Sequence, residues 1–98
     1  MWGDRRLLSI VVPTYNERDN VARLADRIAR SVSVPYEIVF VDDSNDDTPE
    51  LLAKLAQRCP QVRFVHRTGQ RGLGSAVVDG FRLARGELLA VMDADLQH

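Results

Sequence analysis

The chain has 98 residues, 45% hydrophobic and 28% charged, a balance typical of one small globular domain and not of a disordered or fibrous protein. Its 13 basic and 14 acidic residues leave a net charge of -1, so no general basic field attracts nucleic acid. The single cysteine excludes a disulfide framework and indicates a reducing, cytoplasmic compartment. No apolar run approaches the roughly 18 residues that a membrane span needs.

The first half of the chain predicts a strand, a helix and a second strand. Residues 7–12 form a β-branched apolar run, as in a strand that is buried on both faces. Over residues 20–32, apolar residues recur every three or four positions, which predicts an amphipathic helix capped by Asp19 or Asn20. Residues 36–41 form the second strand, and an acidic segment ends it.

The second half continues the same alternation of helices and strands. A helix over residues 48–59 begins with a threonine–proline pair, because proline at the first helical position loses no needed N–H. Residues 62–66 form a short third strand. A helix over residues 75–85 follows, with Gly86 as its C-terminal cap, and residues 87–92 form the fourth strand.

This alternation predicts an α/β fold, a Rossmann-like, doubly wound parallel sheet with helices on both faces. Right-handed crossovers favour the strand order 3-2-1-4, with the winding direction reversing between strands 1 and 4. Ligands bind such sheets beyond the carboxyl ends of the strands, at that reversal. Three polar segments fall there, residues 13–17, 42–44 and 93–95. The sequence therefore predicts one binding site at the carboxyl edge.

Two carboxylates after the fourth strand are candidates for a metal site. Asp93 and Asp95 are separated by one residue, and Gln97 could supply a neutral oxygen close by. Together with water and substrate phosphate oxygens, such ligands suit Mg²⁺ or Mn²⁺. The alternative is a polar turn, since two acids in one turn are common. The predicted position next to Tyr15 and Asp43 favours the metal site.

The segments after the first two strands carry groups that can bind a nucleoside. Tyr15 offers a flat ring for a base and Glu17 an acceptor beside it, while loop packing is the alternative for Tyr15. Asp42 and Asp43 can each accept hydrogen bonds from a ribose hydroxyl or a base N–H. The alternative is that one of them caps the turn. We favour the ligand role for Asp43, and both roles stay open for Asp42.

The glycine-rich segment 69–74 matches neither the dinucleotide fingerprint nor the phosphate loop of NTPases. We expect its glycines, Gly72 among them, to allow a close approach of the backbone to a ligand or to the sheet. Arg67 and Arg71 either reach a phosphate there or are solvated. His66 is interpreted as structural, because the spacing places no acid beside it.

Four motifs, in this order and spacing, resemble the start of a family 2 glycosyltransferase of the GT-A fold. They are Val11-Val12-Pro13-Thr14-Tyr15-Asn16-Glu17, Val41-Asp42-Asp43-Ser44, Gly72-Leu73-Gly74-Ser75-Ala76 and Asp93-Ala94-Asp95. Within that family, Gly72-Leu73-Gly74-Ser75-Ala76 and the longer segment Asp93-Ala94-Asp95-Leu96-Gln97-His98 look most like those of polyprenyl-phosphate (dolichyl-phosphate) mannosyltransferases. Such enzymes transfer mannose from GDP-mannose to a lipid phosphate.

The resemblance implies a substrate-binding set, a metal-binding set and a catalytic pair. The set for the nucleotide-sugar consists of Pro13, Tyr15, Glu17, Asp42, Asp43, Arg71, Gly72 and Asp93. The ligands of the Mg²⁺ or Mn²⁺ ion would be Asp93, Asp95 and Gln97. Asp93 and Asp95 would also be the catalytic pair, in a direct displacement that inverts the anomeric carbon.

The resemblance further implies a protein peripheral to a membrane, with a lipid phosphate acceptor and no nucleic acid partner. Family members continue beyond His98, so we expect residues 1–98 to be a single nucleotide-sugar-binding domain, truncated after Asp93-Ala94-Asp95. The open edge of strand 4 predicts a homo-oligomer. The alternatives are a nucleotide-diphosphate-binding fragment without catalysis and a family 2 transferase that acts on a sugar hydroxyl.

Overall fold

The helices and strands alternate along the chain as the periodicity predicts. The computed structural model describes residues 7–68 and 72–94, which form four strands and three helices. In chain order these are β1 (Leu8–Thr14), α1 (Val21–Ser31), β2 (Tyr36–Asp42), α2 (Thr48–Arg58), β3 (Val62–His66), α3 (Leu73–Leu83) and β4 (Leu88–Val91). None of the helices described in these two ranges is long and apolar enough to cross a membrane.

The four strands form one parallel sheet in the order β3-β2-β1-β4, which confirms the predicted topology. At its start, β1 pairs on both sides, because Leu8 lies opposite Tyr36 in β2 and Leu88 in β4. At the carboxyl edge, Asp42 lies opposite Thr14 on one side and His66 on the other. The ends of β1, β2 and β3 are therefore in register, and the loops that follow them start side by side.

Helices cover both faces of the sheet, because alternate side chains of each strand point to opposite faces. The face covered by α1 and α2 buries the larger core; its fully buried members include Ile10, Val12, Leu24, Ile38, Phe40 and Leu52. The opposite face, covered by α3, has a smaller core made of Val11, Val39, Val41 and Ala76. There Gly80 of α3 lies so close to the sheet that a Cβ on it would be 2.2 Å from Cγ1 of Val11.

The predicted elements that differ most from the observed ones are β1 and α3, whose C-terminal boundaries are shifted by two residues. Strand β1 continues through Pro13 to Thr14, whose carbonyl oxygen accepts a hydrogen bond from the Asp43 N–H (2.9 Å). Helix α3 ends earlier than predicted, and its cap is Ala84, whose N–H bonds to the carbonyl of Gly80 at 3.0 Å. Gly86 is therefore not the cap.

Gly86 instead allows the chain to pass close to β1. A Cβ on Gly86 would lie 2.3 Å from the carbonyl oxygen of Leu7, and its N–H donates to Ser9 Oγ at 2.8 Å. The predicted cap of α1 also differs in detail. Asn20 occupies the cap position, but its amide donates to Glu17 Oε1 (2.9 Å) and makes no capping bond to the helix.

A buried carboxylate at the amino end of the sheet fixes the connection from α3 to β4. Glu37 on β2 accepts hydrogen bonds from Ser9 Oγ (2.6 Å) and from the Arg85 N–H (2.6 Å), and Arg63 Nη2 lies 3.0 Å from it. Burial acts to raise the pKa of Glu37, but these hydrogen bonds and the charge of Arg63 outweigh it and lower the pKa below its ordinary value of 4.5. Glu37 is therefore held as a carboxylate.

Candidate functional site

A cleft of about 300 Å³ opens at the carboxyl edge of the sheet, between the loops after β1, β2 and β4 and the start of α3. Its lining consists of Pro13, Thr14, Tyr15, Glu17, Asp43, Gly72, Leu73, Ala76 and Asp93. The structure thus brings together six of the residues that the sequence selected, namely Pro13, Tyr15, Glu17, Asp43, Gly72 and Asp93. Three others, Arg71, Asp95 and Gln97, lie outside the described residues.

The loops after β1 and β2 are hydrogen-bonded to each other below the cleft. Asn16 has a φ of 54°, in the left-handed region that asparagine tolerates better than most residues. In this conformation its N–H donates to Ser44 Oγ (2.6 Å), and its side-chain oxygen accepts from the Asn45 N–H (3.0 Å). Tyr15, the residue before it, lines the cleft with 45% of its surface exposed. These two hydrogen bonds of Asn16 to the loop after β2 hold the backbone next to Tyr15 in place at the cleft.

Asp42 lies below the cleft floor, and its side chain has no exposed surface. Its Oδ1 accepts hydrogen bonds from Thr14 Oγ1 and Ser44 Oγ, both at 2.6 Å, and its Oδ2 lies 2.9 Å from His66 Nδ1. Of the two roles open for Asp42, this arrangement favours the one that holds the turn. The expectation that no acid lies beside His66 is wrong, because the parallel register brings Asp42 to it from the neighbouring strand.

Asp43, the next residue, faces the cleft and is paired with Arg67. Arg67 Nε donates to Asp43 Oδ1 (2.7 Å) and Nη2 to Oδ2 (2.6 Å), so the guanidinium holds both carboxylate oxygens. Both side chains are largely buried, with exposed fractions of 10% for Asp43 and 6% for Arg67. Hydrogen bonding to Asp43 raises the pKa of Arg67 above its ordinary value, outweighing the opposing effect of burial.

Arg67 is the residue whose place sequence reasoning missed. We expected it to reach a phosphate or to be solvated. The structure contradicts the solvated side chain, because the guanidinium is buried against the carboxylates of Asp43 and Asp79. A usable signal was present: Asp43 and Arg67 each follow directly after one of two neighbouring strands. Once the order 3-2-1-4 is accepted, an acid and a base at equivalent positions are expected to meet.

Asp93 is the described residue of the predicted metal set, and it lines the cleft. Within residues 7–68 and 72–94, no group of three or more His, Cys, Asp or Glu side chains is close enough to hold a metal ion. The other two residues of the predicted metal set, Asp95 and Gln97, lie outside the described residues. The donor chemistry fits, since carboxylate and amide oxygens are the ligands that Mg²⁺ and Mn²⁺ prefer.

A parallel α/β sheet in the order 3-2-1-4, with acidic and aromatic side chains meeting at the carboxyl ends of its strands, is the arrangement of nucleotide-binding α/β proteins. The chain belongs to glycosyl transferase family 2, whose family model matches residues 9–98. Its fold is that of the GT-A glycosyltransferases.

The most similar relatives include dolichol-phosphate mannosyltransferases. That of Pyrococcus furiosus is 46% identical over 93 residues, which cover 93% of this chain and 26% of that protein. That of Saccharomyces cerevisiae is 43% identical over 95 residues, which cover 92% of this chain and 36% of that protein. The chain thus spans between a quarter and two-fifths of the length of these relatives.

A solved structure of similar fold is the mannosyltransferase PcManGT from Pyrobaculum calidifontis in complex with GDP-Man and Mn²⁺. It superimposes on this chain with a TM-score of 0.80 and 33% sequence identity. The match covers 90% of this chain and 27% of that one.

Proposed function

We propose that the chain is the nucleotide-sugar-binding part of a metal-dependent transferase that moves mannose from GDP-mannose to a polyprenyl or dolichyl phosphate. The observation that carries the proposal is the cleft of a family 2 chain in which Tyr15, Asp43 and Asp93 meet. The names of the most similar relatives support the lipid phosphate acceptor and the mannosyl group. The GDP-Man and Mn²⁺ of PcManGT support the donor and the ion.

In this proposal the loops after β1 and β2 hold the nucleoside. The ring of Tyr15 stacks on the base, with Pro13 and Glu17 beside it. Asp43 accepts a hydrogen bond from the base or the ribose, since each carboxylate oxygen can accept more than one bond and Arg67 leaves capacity on both. Gly72 has a φ of 125°, so the backbone of the segment before α3 adopts a conformation that side chains rarely allow, next to the bound nucleotide.

The diphosphate end of the donor lies toward β4 in this proposal. Asp93, Asp95 and Gln97 are the ligands of the divalent ion, with Asp93 also near the ribose, and Arg71 approaches the diphosphate. When bound, such an ion neutralises the charge of the diphosphate leaving group. The alternative remains that Asp93 and Asp95 form only a polar turn, and the experiment below separates the two.

The proposed acceptor explains why no general base is needed within this cleft. A phosphate monoester has a second pKa of about 6, so it is already largely ionised at pH 7 and is itself a nucleophile. A sugar hydroxyl would instead need a base to remove its proton. In the proposed displacement, an oxygen of the lipid phosphate forms the new bond to the anomeric carbon as the bond from that carbon to GDP breaks, so the centre is inverted and GDP leaves. A lipid acceptor also means that the protein works against a membrane surface, as a peripheral protein.

Calorimetric titration with GDP, with and without Mn²⁺, tests the proposal. We expect Asp95→Ala to remove the increase in affinity that Mn²⁺ gives and to leave weak binding through Tyr15 and Asp43. Asp43→Asn is expected to weaken binding with and without Mn²⁺ by about 1–3 kcal/mol, the cost of a lost buried hydrogen bond. Asp26→Ala is the control, because Asp26 is an exposed residue of α1 that pairs with Arg30.

Three results would contradict the proposal. Equal losses in Asp95→Ala and Asp43→Asn, with no effect of Mn²⁺ on any variant, would mean that Asp93 and Asp95 form only a polar turn. Absence of GDP binding by the unsubstituted, folded chain would remove the nucleotide site itself. GDP and Mn²⁺ binding by a longer chain that transfers no mannose would select the alternative of a binding protein without catalysis.

A further inference from the structure

Arg67 connects the loop after β2 to helix α3 through one guanidinium group. Its Nε and Nη2 hold Asp43 on the loop after β2, as described above. Its Nη1 donates to Ser75 Oγ (2.8 Å) and to Asp79 Oδ2 (3.0 Å), both on α3. The backbone N–H of Arg67 also donates to the carbonyl oxygen of Asp42 at 2.8 Å. The side chain therefore joins the floor of the cleft to the helix that forms its wall.

The two parallel hydrogen bonds from Arg67 restrict the orientation of the Asp43 carboxylate. A carboxylate held by one hydrogen bond can still turn about its side-chain torsions, whereas two parallel N–H···O bonds define the plane of the group. Asp79 holds the guanidinium of Arg67 from its other side, so the guanidinium and the Asp43 carboxylate cannot rotate together. An acceptor whose orientation is set before a ligand arrives loses less entropy on binding.

The same contacts link Asp43 to the part of α3 that lines the cleft. Ser75 and Asp79 lie on the helix whose residues Leu73 and Ala76 form the cleft wall. The carbonyl oxygen of Gly72 is 3.4 Å from Arg67 Nη2, so the guanidinium also reaches the segment before the helix. A substitution of Arg67 is therefore expected to alter the positions of both Asp43 on the floor of the cleft and α3 in its wall.

From this geometry we infer that Arg67 is a positioning residue for nucleoside recognition: it orients Asp43 toward the nucleoside and aligns α3 with it, without itself contacting the donor. The inference rests on the proposed function, because it presupposes that Asp43 binds the nucleoside. It adds that the affinity contributed by Asp43 depends on the arginine behind it. Arg67 and Asp43 should thus behave as one unit in binding.

A matched control is available on β3, the strand that ends just before Arg67. Arg63 of β3 pairs with Glu37 of β2 at 3.0 Å, as Arg67 pairs with Asp43, but at the amino end of the sheet and outside the residues that line the cleft. Arg63→Lys and Arg67→Lys both keep the charge and remove the planar fork of arginine. Both are expected to lower the melting temperature, whereas only Arg67→Lys is expected to change nucleotide affinity.

The test is a double-mutant cycle of GDP affinity, measured by calorimetry in the presence of Mn²⁺ on the chain and on Arg67→Lys, Asp43→Asn and the double variant. Coupling between residues in direct contact is commonly large enough to change an equilibrium constant by about fivefold or more. We expect Arg67→Lys to weaken GDP binding by about that factor and to have no further effect when Asp43 is already asparagine. Arg63→Lys should leave GDP affinity unchanged.

Each departure from this pattern overturns the inference. If Arg67→Lys binds GDP as tightly as the unsubstituted chain, Arg67 is only a structural ion pair. A full effect of Arg67→Lys in the Asp43→Asn background would show that it acts independently of Asp43. Should Arg67→Lys fail to fold, Asp79→Asn, which removes the partner on the far side of the guanidinium, decides by the same measurement: unchanged affinity refutes the inference. Failure of the unsubstituted chain to bind GDP refutes the proposed function, and the inference with it.

Discussion

Substituting Gly80 by alanine tests how tightly α3 packs on the sheet. The new Cβ would lie 2.2 Å from Cγ1, 3.0 Å from Cγ2 and 3.2 Å from Cβ of Val11. Favourable carbon–carbon contacts occur at about 3.5–4.0 Å, so the methyl group cannot be accepted unless Val11 or the helix moves. Val11 is fully buried and pairs with both β2 and β4, so its backbone has little freedom to retreat.

The expected magnitude is the difference between two opposing effects. Overpacking a well-packed core costs about 1–3 kcal/mol, and the very short distance at Gly80 favours the upper part of that range. Replacing glycine by alanine in a helix interior contributes about 1 kcal/mol of stability in the other direction. We therefore expect Gly80→Ala to lower the free energy of unfolding by about 1–2 kcal/mol.

The assay is urea denaturation followed by circular dichroism, with Gly74→Ala as the control. Gly74 lies in the first turn of the same helix, and a Cβ there would meet nothing within 4 Å. We expect Gly74→Ala to be neutral or to stabilise the chain by up to about 1 kcal/mol. Introducing Val11→Ala removes both Cγ atoms, so the cost of Gly80→Ala should largely disappear in that background. A neutral or stabilising Gly80→Ala in the unsubstituted background would refute the packing argument.

Two further predictions concern the amino end and the open edge of the sheet. Because the folded state lowers the pKa of Glu37, the contribution of its carboxylate to stability is fully present above about pH 4.5 and is lost as the pH falls through the folded-state pKa. In the Glu37→Gln variant, the free energy of unfolding should therefore fall less steeply with decreasing pH in that acid range. Equal slopes in the variant and the unsubstituted chain would contradict this prediction. We also propose that two copies associate through β4, an edge strand of the described sheet, whose Leu88, Leu89 and Val91 are each nearly half exposed. In sedimentation experiments Leu89→Lys should abolish the association, whereas Val34→Lys, at a similarly exposed residue of the loop between α1 and β2, should not. A chain that is monomeric at every concentration would contradict the proposal.

The topology of this chain was predictable because it follows from local periodicity and from a general rule. Apolar residues spaced by three or four mark α1 clearly, and right-handed crossovers then leave few possible strand orders. The placement of Tyr15, Asp43 and Asp93 at one cleft follows from that order alone, since each comes after a strand that ends at the same edge. Their roles in binding remain predictions.

The contacts made by individual side chains were not predictable in the same way. Asp42 is buried because the register brings Thr14 opposite to it, 28 residues away in sequence, and spacing carries no information on such a pairing. Arg67 meets one partner 24 residues before it and another 12 residues after it. The cap of α3 was misplaced for a related reason. Gly86 is needed because the chain there passes close to Leu7, the residue just before β1, and local helix signals carry no information on that contact.

The central position of β1 has a consequence for the way the chain folds during synthesis. Leu8 of β1 pairs with Leu88 of β4, which lies 80 residues later in the sequence. At a synthesis rate of about 5–20 residues per second, β4 is therefore synthesised roughly 4–16 s after β1, and until then the edge of β1 that pairs with β4 has no partner strand. During that interval β2 and α1 can already pack against β1, but its second row of backbone hydrogen-bonding groups has no β4 to pair with. Strand β4 therefore docks onto an edge of β1 that has already formed, and any delay before it does so leaves that edge of β1 unpaired for longer.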